Sequence, residues 1–345
     1  MPCYLITGGA GFFGTILKQH FLAKGAHCVS IDLEPDSFSH PHFTAYQGDI
    51  NDTTLMEHIF STHKFDAVFH CAALLAHVKK DLKRLWQANV CGTQSVYDFA
   101  LKYNVRKIVF ISSNCLWAKN FDSLVTEEEM PEPVEIYGKS KLAAEQILLS
   151  HPDKINSIIF RSPPIMDEGR LGLLGILFEF IDENRKLPMV GSGANRYQFI
   201  YAKDLANACE LALKADYSDI FNVGSDNVKS FNEVYEYVIQ KSGSKTRLFH
   251  FPKLPMIWAM KICFWLGISP LGPYQYKMIA SNFIFKTDKI KQKLGFAPTL
   301  SNEEMLLRAY EFYHQNKQEI LTRKDVSAHN SVAKMGVIKL LKWLM

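Results

Sequence analysis

Short apolar runs alternate with helical patterns through the first half of the chain. The runs at 4–7, 27–31 and 43–47 are short and rich in aliphatic, β-branched and aromatic residues, as strands are. A helical pattern over 12–24 separates the first two runs. A further helix is predicted to begin at Asn51 or Asp52, because either side chain can cap its first turn.

Two further runs, at 66–72 and 107–112, are apolar without alternation between two faces. Strands that are covered on both faces have this pattern, so we expect a parallel sheet between helices. A helix from Val134 or Tyr137 to Leu149 and a strand at 156–160 continue the alternation. The predicted fold class is α/β: a doubly wound parallel sheet (Rossmann) with a smaller mixed α/β C-terminal substrate lobe.

The second half, after Pro163 and Pro164, is less regular and predicts this separate lobe. We predict an NAD-binding Rossmann domain over 1–165, with later strands contributed from about 195–225. A substrate-binding lobe over 166–315 and a tail over 316–345 with an amphipathic helix follow. Predicted helices cover 172–184, 203–214, 230–241, 255–266 and 302–315, and short strands lie near 198–201 and 219–223.

Composition and charge exclude several classes of function. The chain has 345 residues, of which 48% are hydrophobic, and 39 basic residues oppose 35 acidic ones. This balance predicts no nucleic-acid partner. The seven cysteines are scattered and form no CxxC pair, which predicts reduced thiols, a cytoplasmic location and no metal site. No signal peptide is expected from the N-terminal residues.

Three glycines, Gly8, Gly11 and Gly14, lie between the first predicted strand and the first helix. Glycines at this spacing permit a tight turn and a close approach of the backbone to a pyrophosphate at the helix N-terminus. Asp32 ends the second strand, where a carboxylate can accept hydrogen bonds from ribose hydroxyls and repels a 2′-phosphate. The predicted cofactor is therefore NAD rather than NADP.

Other residues at strand ends complete the predicted cofactor site. Asp49 can accept a hydrogen bond from the adenine amino group, and Ile50 can pack on the ring. Small residues at Ala72 and Ala73 leave room for the cofactor. The predicted cofactor-binding residues are Gly8, Gly11, Phe12, Phe13, Gly14, Asp32, Asp49, Ile50, Ala72, Ala73, Asn89, Tyr137, Lys141 and Pro163.

Tyr137 and Lys141 are four residues apart in YGKSK, so a helix places them on one face. An ammonium near a phenol favours phenolate and lowers its pKa. We therefore expect Tyr137 to exchange a proton with a substrate hydroxyl or ketone near neutral pH, with Lys141 lowering its pKa and holding the nicotinamide ribose.

Together these motifs resemble the extended short-chain dehydrogenase/reductases, of the NAD-dependent epimerase/dehydratase family, over about 3–315. The 3β-hydroxysteroid dehydrogenases form a related branch. The resemblance implies that Ser113 binds the reacting oxygen, with Ser112 as the alternative, and that Asn89 steadies the site's backbone. It also implies a homodimer built on the helix of YGKSK. The motifs are TGGAGFFG (7–14), GDI (48–50), HCAA (70–73), NVCGT (89–93), SS (112–113), YGKSK (137–141) and RSPPI (161–165).

Asn114 and Cys115 bear on which of the family's reactions the chain catalyses. Family dehydratases carry Asp-Glu at these positions, and Asn114 cannot act as an acid, so a dehydratase is disfavoured. Related 3,5-epimerases carry a cysteine near Cys115. Its thiolate can abstract a proton beside a ketone, or the side chain simply fills a gap.

The substrate is the least constrained prediction. Sugar-nucleotide members carry an arginine that grips the pyrophosphate, and Arg196 lies one place early. The leading hypothesis is a nucleotide-sugar 4-epimerase or keto-sugar reductase/epimerase, with Asn114 and Arg196 contacting substrate. Alternatives are oxidation of a sterol or other lipidic alcohol, and a non-catalytic NAD sensor, which the Tyr137–Lys141 pair disfavours.

The basic, apolar sequence over 332–345 has two interpretations. It forms an amphipathic helix in peripheral contact with a membrane surface, or it packs on its own domain or a dimer partner. The apolar segment 255–266 bears on the same choice.

Overall fold

A parallel sheet of seven strands forms the centre of the computed structural model, which describes residues 1–75, 81–269, 271–322 and 342. The strand order is β10-β6-β5-β4-β1-β2-β3, and each pair is parallel. The order reverses beside β1, as in doubly wound dinucleotide-binding folds. The strands are β1 (Cys3–Thr7), β2 (His27–Asp32), β3 (Phe43–Gln47), β4 (Ala67–His70), β5 (Lys107–Ile111), β6 (Asn156–Arg161) and β10 (Asp219–Asn222).

Helices cover both faces of this sheet because its strands are apolar on both sides. β4 and β5 are buried at every position, as their continuous apolar runs predict. Asp52 is the cap of α2 and accepts hydrogen bonds from Thr54 N and Leu55 N. The helices of the first half are α1 (Phe12–Ala23), α2 (Thr53–Thr62), α3 (Leu82–Trp86), α4 (Gly92–Lys102) and α5 (Ile136–Leu148), with a π-helical turn at Gln87–Cys91.

The second half forms a smaller lobe with its own hydrophobic core. The segment after β5 also contributes to that core through Leu116, Trp117 and Val125, so the lobe is not built from one continuous stretch. Two helices of this half, α7 (Ala202–Ala212) and α11 (Asp288–Leu294), pack in the core of the central sheet instead. The other elements are β7 (Ile165–Met166), α6 (Leu174–Asp182), β8 (Leu187–Val190), β9 (Ile200–Tyr201), α8 (Phe231–Ser242), β11 (Leu248–Phe251), α9 (Lys253–Trp265), α10 (Pro273–Met278) and α12 (Asn302–Thr322).

Four predicted helices of this half match the structure within two residues, whereas α12 continues to Thr322, past its predicted end at 315. β9 lies within the predicted strand near 198–201, but β7, β8, β11, α10 and α11 were not predicted. β8 pairs with β11, and β7 pairs with β9. Strands of two to four residues carry too little periodicity to be recognised. The predicted tail helix over 332–345 lies outside the described residues, except that Lys342 pairs with Glu179 and Glu183.

Candidate active site

The glycine-rich turn joins β1 to α1 at the carboxyl edge of the sheet. Gly8 has a φ of 72°, a conformation that residues with a Cβ rarely adopt. A Cβ on Gly14 would lie 2.1 Å from Gly8 O, so the close packing of turn and helix requires glycine there. Gly11 precedes α1 without a side-chain cap, which leaves the first N–H groups of the helix available to an anion.

The acidic residue after β2 lies beside this turn. Asp32 Oδ2 accepts a hydrogen bond from Ala10 N at 3.0 Å, and Oδ1 accepts one from Glu34 N at 3.1 Å. These bonds fix the carboxylate at the mouth of the turn. Asp49 is exposed, whereas Ile50 is buried with its Cδ1 against Gly92.

Asn89 connects the loop after β4 with α5. Its Oδ1 accepts from Leu74 N at 2.7 Å, and its Nδ2 donates to Leu74 O at 3.0 Å and to Ser140 Oγ at 3.0 Å. Ala72 N donates to Thr7 Oγ1 at 3.2 Å. The loop carrying Ala72 and Ala73 is therefore attached to β1 on one side and to the Tyr137 helix on the other.

His70 is a buried member of this network that the sequence did not single out. Its Nδ1 lies 2.7 Å from Thr7 Oγ1 and its Nε2 lies 2.9 Å from Thr93 Oγ1. Burial lowers the pKa of His70 to about 3, so the ring is neutral at physiological pH. Thr93 Oγ1 in turn donates to Asn89 O at 2.6 Å, which gives His70 a structural position behind the site.

Ser113, Tyr137 and Lys141 meet where β5 ends against the start of α5. The Ser113 hydroxyl lies near that of Tyr137, close enough to act on its pKa. Lys141 Nζ donates to Ile111 O at 2.8 Å and lies 6.0 Å from the centroid of the Tyr137 ring. The structure therefore brings together the three residues that the resemblance implies.

The charge of this group differs from the sequence prediction. Burial raises the pKa of Tyr137 above its usual value, and the groups that oppose this are the Ser113 hydroxyl and the Arg170 charge. Burial lowers the pKa of Lys141 to about 8. The prediction that Lys141 lowers the phenol pKa is thus not what the structure has, because Lys141 donates to a backbone carbonyl and is itself poorly solvated.

Arg170 is a site residue that the sequence did not reveal. It lies in the loop after β7, and its guanidinium is 5.7 Å from the centroid of the Phe12 ring. Its charge also acts on Tyr137, whose pKa it lowers against the larger effect of burial. Two residues that were predicted to contact the cofactor are buried: Phe13, in the first turn of α1, and Pro163, after β6.

The two adjacent serines have different surroundings. Ser112 Oγ donates to Glu145 Oε1 at 2.5 Å, and Glu145 forms a buried ion pair with Arg161 at 2.8 Å. Ser113 instead faces Tyr137 and accepts a hydrogen bond from Cys115 N at 3.1 Å. The geometry therefore favours Ser113 over Ser112 as the substrate-facing serine.

Cys115 lies against the first turn of α5. Ser113 and Tyr274 lie close to its thiol, and burial raises the pKa of that thiol to about 11. A thiolate base requires a lowered pKa, so these surroundings favour a packing role. The backbones of Cys115 and Gly138 are in close contact, because a Cβ on Gly138 would lie 2.2 Å from Cys115 O.

Two tyrosines of the lobe face this loop. Asn114 Nδ2 donates to the Tyr197 hydroxyl at 2.6 Å, and the Tyr197 and Tyr274 hydroxyls are 2.8 Å apart. Tyr274 N donates to Glu135 Oε1 at 2.7 Å, immediately before α5. Residues from the lobe therefore contact Asn114 and Glu135, the neighbours in sequence of Ser113 and of the start of α5, and nothing local in the sequence indicates these contacts.

Arg196 is not brought to this group. Its side chain is exposed, and its charge acts on Glu233 of α8. Adjacent residues of an extended segment point to opposite faces, and Tyr197 takes the face toward Asn114. The phosphate contact of Arg196 therefore stays a prediction, for an exposed side chain that faces away from Asn114.

A family model confirms what the motifs resemble. Residues 4–224 match the NAD dependent epimerase/dehydratase family. The chain belongs to this family. It is an NAD-dependent enzyme of the extended short-chain dehydrogenase/reductase type, and NAD is its cofactor.

Curated relatives of this chain include both 4,6-dehydratases and 4-epimerases. A dTDP-D-glucose 4,6-dehydratase from Mus musculus is 27% identical over 90% of this chain and 88% of its own length. A UDP-glucose 4-epimerase from Halalkalibacterium halodurans is 28% identical over 69% of this chain and 80% of its own length.

The fold also matches solved structures. A UDP-glucose 4-epimerase from Thermotoga maritima, crystallised with UDP-glucose, superposes with a TM-score of 0.76 at 22% identity. The match covers 91% of this chain and 99% of that one. At this identity the likeness concerns the fold, and it confirms the predicted doubly wound sheet with a substrate lobe.

The residues present fit the NAD of this family. The turn at Gly8 and Gly14 has no room for side chains, so its backbone N–H groups would be free to bind the pyrophosphate of NAD. Asp32 is fixed beside that turn, where it would accept hydrogen bonds from the adenosine ribose. Lys141 has two further Nζ protons beyond its bond to Ile111 O, and these would hold the nicotinamide ribose.

Proposed function

We propose that the enzyme is a 4-epimerase or keto-sugar reductase/epimerase of a nucleotide sugar. The single observation that carries this is the placement of Ser113 beside Tyr137 at the carboxyl end of β5, followed by Asn114 rather than an acid. A substrate oxygen between Ser113 and Tyr137 meets two hydroxyls, which suits a secondary alcohol or ketone. Bound NAD supplies a hydride acceptor when oxidised and a hydride donor when reduced.

Tyr137 exchanges the proton of the reacting oxygen. In reduction the neutral phenol donates its proton to the ketone oxygen, which its raised pKa favours at neutral pH. In oxidation the phenolate accepts the hydroxyl proton, and the charge of Arg170 stabilises that phenolate. Ser113 holds the oxygen in both directions, so the same pair serves removal and return of a hydride at one carbon.

The residues beside Ser113 favour epimerisation over loss of water. Elimination needs an acid to protonate the leaving hydroxyl, and Asn114 has no titratable proton. Its amide donates to Tyr197, so it contacts the lobe. The next residue is Cys115, a thiol whose pKa is raised by burial. Neither of the two positions at which family dehydratases carry Asp and Glu therefore holds a carboxyl group.

Arg170 supplies a cation that Arg196 does not bring to the site. Its position near Phe12 and its effect on Tyr137 suit the diphosphate of a nucleotide sugar or of the cofactor. We therefore assign the phosphate contact predicted for Arg196 to Arg170.

A ligand screen tests this proposal directly. Purified protein with NAD is offered UDP-, dTDP- and GDP-hexoses in one series, and sterols and other lipidic alcohols in another. We expect a thermal shift and a C4 epimer or a reduced keto sugar only in the first series. A 4-keto-6-deoxy product would instead identify a dehydratase, and stabilisation by the lipidic series alone would identify a lipid alcohol dehydrogenase.

A further inference from the structure

Helix α9 presents an apolar face that no described residue covers. None of its residues is buried, and the exposed fractions reach 63% for Trp258 and 78% for Trp265. With Leu254, Ile262 and Leu266, which are also more than half exposed, these residues recur at helical spacing. They form one continuous apolar stripe, which we call the α9 stripe.

The helix is held in this orientation by its other face. The rings of Phe264 and Tyr276 are 6.3 Å apart, which joins α9 to α10. Lys253 Nζ donates to Ala280 O at 2.7 Å, which fixes the start of the helix. The α9 stripe therefore points outward while the opposite face contacts the lobe. A helix that is apolar all round normally has both faces covered.

The chain segment that contains α9 carries charges of one sign. Residues 237–287 contain no Asp or Glu, in a chain with 39 basic and 35 acidic residues overall. Lys261 Nζ lies 5.0 Å from the Trp258 ring within the stripe itself. The basic residues of this segment are Lys241, Lys245, Arg247, Lys253, Lys261, Lys277 and Lys286.

We propose that the α9 stripe docks the protein onto an anionic lipid membrane. Tryptophans and aliphatic side chains enter the interface between headgroups and acyl chains, and the surrounding cations face lipid phosphates. The helix lies on the surface: in the part of the chain that the structure describes, no helix is long and apolar enough to cross a membrane. This inference is independent of the proposed substrate.

Charge distinguishes this partner from a second copy of the chain. In a two-fold contact the same surface meets itself, so the cations of the stripe would face one another. An anionic bilayer provides the opposite charge. The homodimer that the resemblance implies uses α5, which carries Tyr137 and lies in the other half of the molecule.

The position of α9 also connects the membrane surface with the candidate active site. α10 follows α9 directly and carries Tyr274, whose hydroxyl is 2.8 Å from that of Tyr197. Docking through the α9 stripe would therefore hold this pair of tyrosines, which contacts Asn114, close to the lipid.

Vesicle sedimentation with the full-length protein tests the proposal. We expect binding to vesicles of phosphatidylcholine mixed with phosphatidylglycerol, weakened by salt, and little binding to phosphatidylcholine alone. The double variant Trp258→Ser/Trp265→Ser should bind at least about tenfold more weakly. Lys261→Gln should bind about fivefold more weakly, since one basic residue near an anionic surface contributes this much.

Matched variants separate the α9 stripe from other surfaces. Met130→Ser removes an exposed apolar side chain outside α9 and should leave binding unchanged. All variants should bind NAD as the wild type does, which shows that they are folded. Failure of the wild type to bind, or equal binding by the double variant, overturns the proposal. Trp343→Ser tests the tail 332–345, and loss of binding in this variant alone would also overturn the proposal. A dimer that the double variant dissociates, with no vesicle binding by the wild type, would identify a second copy of the chain as the partner instead.

Discussion

The Ser112 hydroxyl donates a 2.5 Å hydrogen bond to the Glu145 carboxylate, and both side chains are buried. Glu145 also pairs with Arg161, so this bond ties the end of β5 to α5 and β6. The neighbouring Ser113 is left to face Tyr137. Ser112 thus joins β5, α5 and β6, whereas Ser113 is the serine that we expect to contact the substrate.

This division predicts different losses in two single variants. Ser113→Ala should lower turnover by about a hundredfold or more, because the reacting oxygen loses a hydrogen-bond donor. Ser112→Ala should keep turnover near that of the wild type and lower the free energy of unfolding by about 1 kcal/mol. Steady-state kinetics and denaturant unfolding measure the two effects. The reverse pattern would exchange the roles of the serines.

Tyr137→Phe should abolish turnover while NAD still binds. The substitution removes the hydroxyl that exchanges a proton and keeps the ring, so we expect a loss of about 100- to 10,000-fold in turnover. Tyr235→Phe, at another tyrosine whose pKa burial raises, is the matched control and should keep turnover. Unchanged activity in Tyr137→Phe would refute the proposed proton transfer.

We expect the buried charge of Lys141 to lower the free energy of unfolding, although turnover requires this residue. Burial lowers its pKa to about 8, from about 10.4 in an unfolded chain. Below pH 8 the buried ammonium is charged, and its full desolvation cost is present. Lys141→Met should therefore raise the free energy of unfolding at pH 7 by about 1–2 kcal/mol, while turnover is lost.

The advantage of Lys141→Met should shrink as the pH rises from 8 toward 10.5. In that range the unfolded wild type still binds the proton that the folded protein has released, so wild-type stability increases. Lys107→Met is the comparison, because burial also lowers the pKa of Lys107, but its Nζ donates to three backbone carbonyls, those of Ala212, Leu213 and Ala215, and the variant leaves all three without this donor. That variant should be destabilised at every pH. A destabilised Lys141→Met at pH 7 would contradict the argument.

The sequence predicts the central sheet well because local patterns determine it. β3 has the predicted bounds, and β5 differs from its prediction by one residue. Continuous apolar runs mark strands buried on both faces, and the glycines of the first turn mark the nucleotide site. These signals are short-range, so they can be read without knowing which distant residues meet.

The lobe and its contacts with the site depend on distant segments of the chain. Tyr197, Tyr274 and Arg170 come from three separate parts of the second half, and none belongs to a recognisable motif. The pKa of Tyr137 is raised above all by burial, and Cys115, Ser113 and Arg170 have smaller effects, so its direction does not follow from the spacing to Lys141. A motif predicts which side chains share a helix face, but not how well water reaches them.

Arg170 and Arg196 form a matched pair for testing the phosphate contact. Arg170→Gln should raise KM for a nucleotide sugar about tenfold and also lower turnover, because it removes the cation beside Tyr137. Arg196→Gln should leave both unchanged, since Arg196 is exposed beside Glu233. A raised KM in Arg196→Gln alone would restore the original sequence prediction for that residue.

Cys115 is expected to pack rather than to transfer protons. Burial raises its pKa to about 11, so at neutral pH the thiol is protonated and unreactive. Cys115→Ser should keep turnover within about threefold of the wild type, because a thiol that is not a base contributes only packing. Product formed in D₂O by the two proteins should carry the same deuterium content.

Thiol labelling provides an independent measurement of the same point. Cys91 is exposed and should react with iodoacetamide first, whereas Cys115 should react slowly at neutral pH and faster as the pH approaches 11. Rapid labelling of Cys115 at pH 7, together with loss of deuterium from the Cys115→Ser product, would instead identify a thiolate base. The turnover of Cys115→Ser would then fall with the exchange, since both would depend on the same proton.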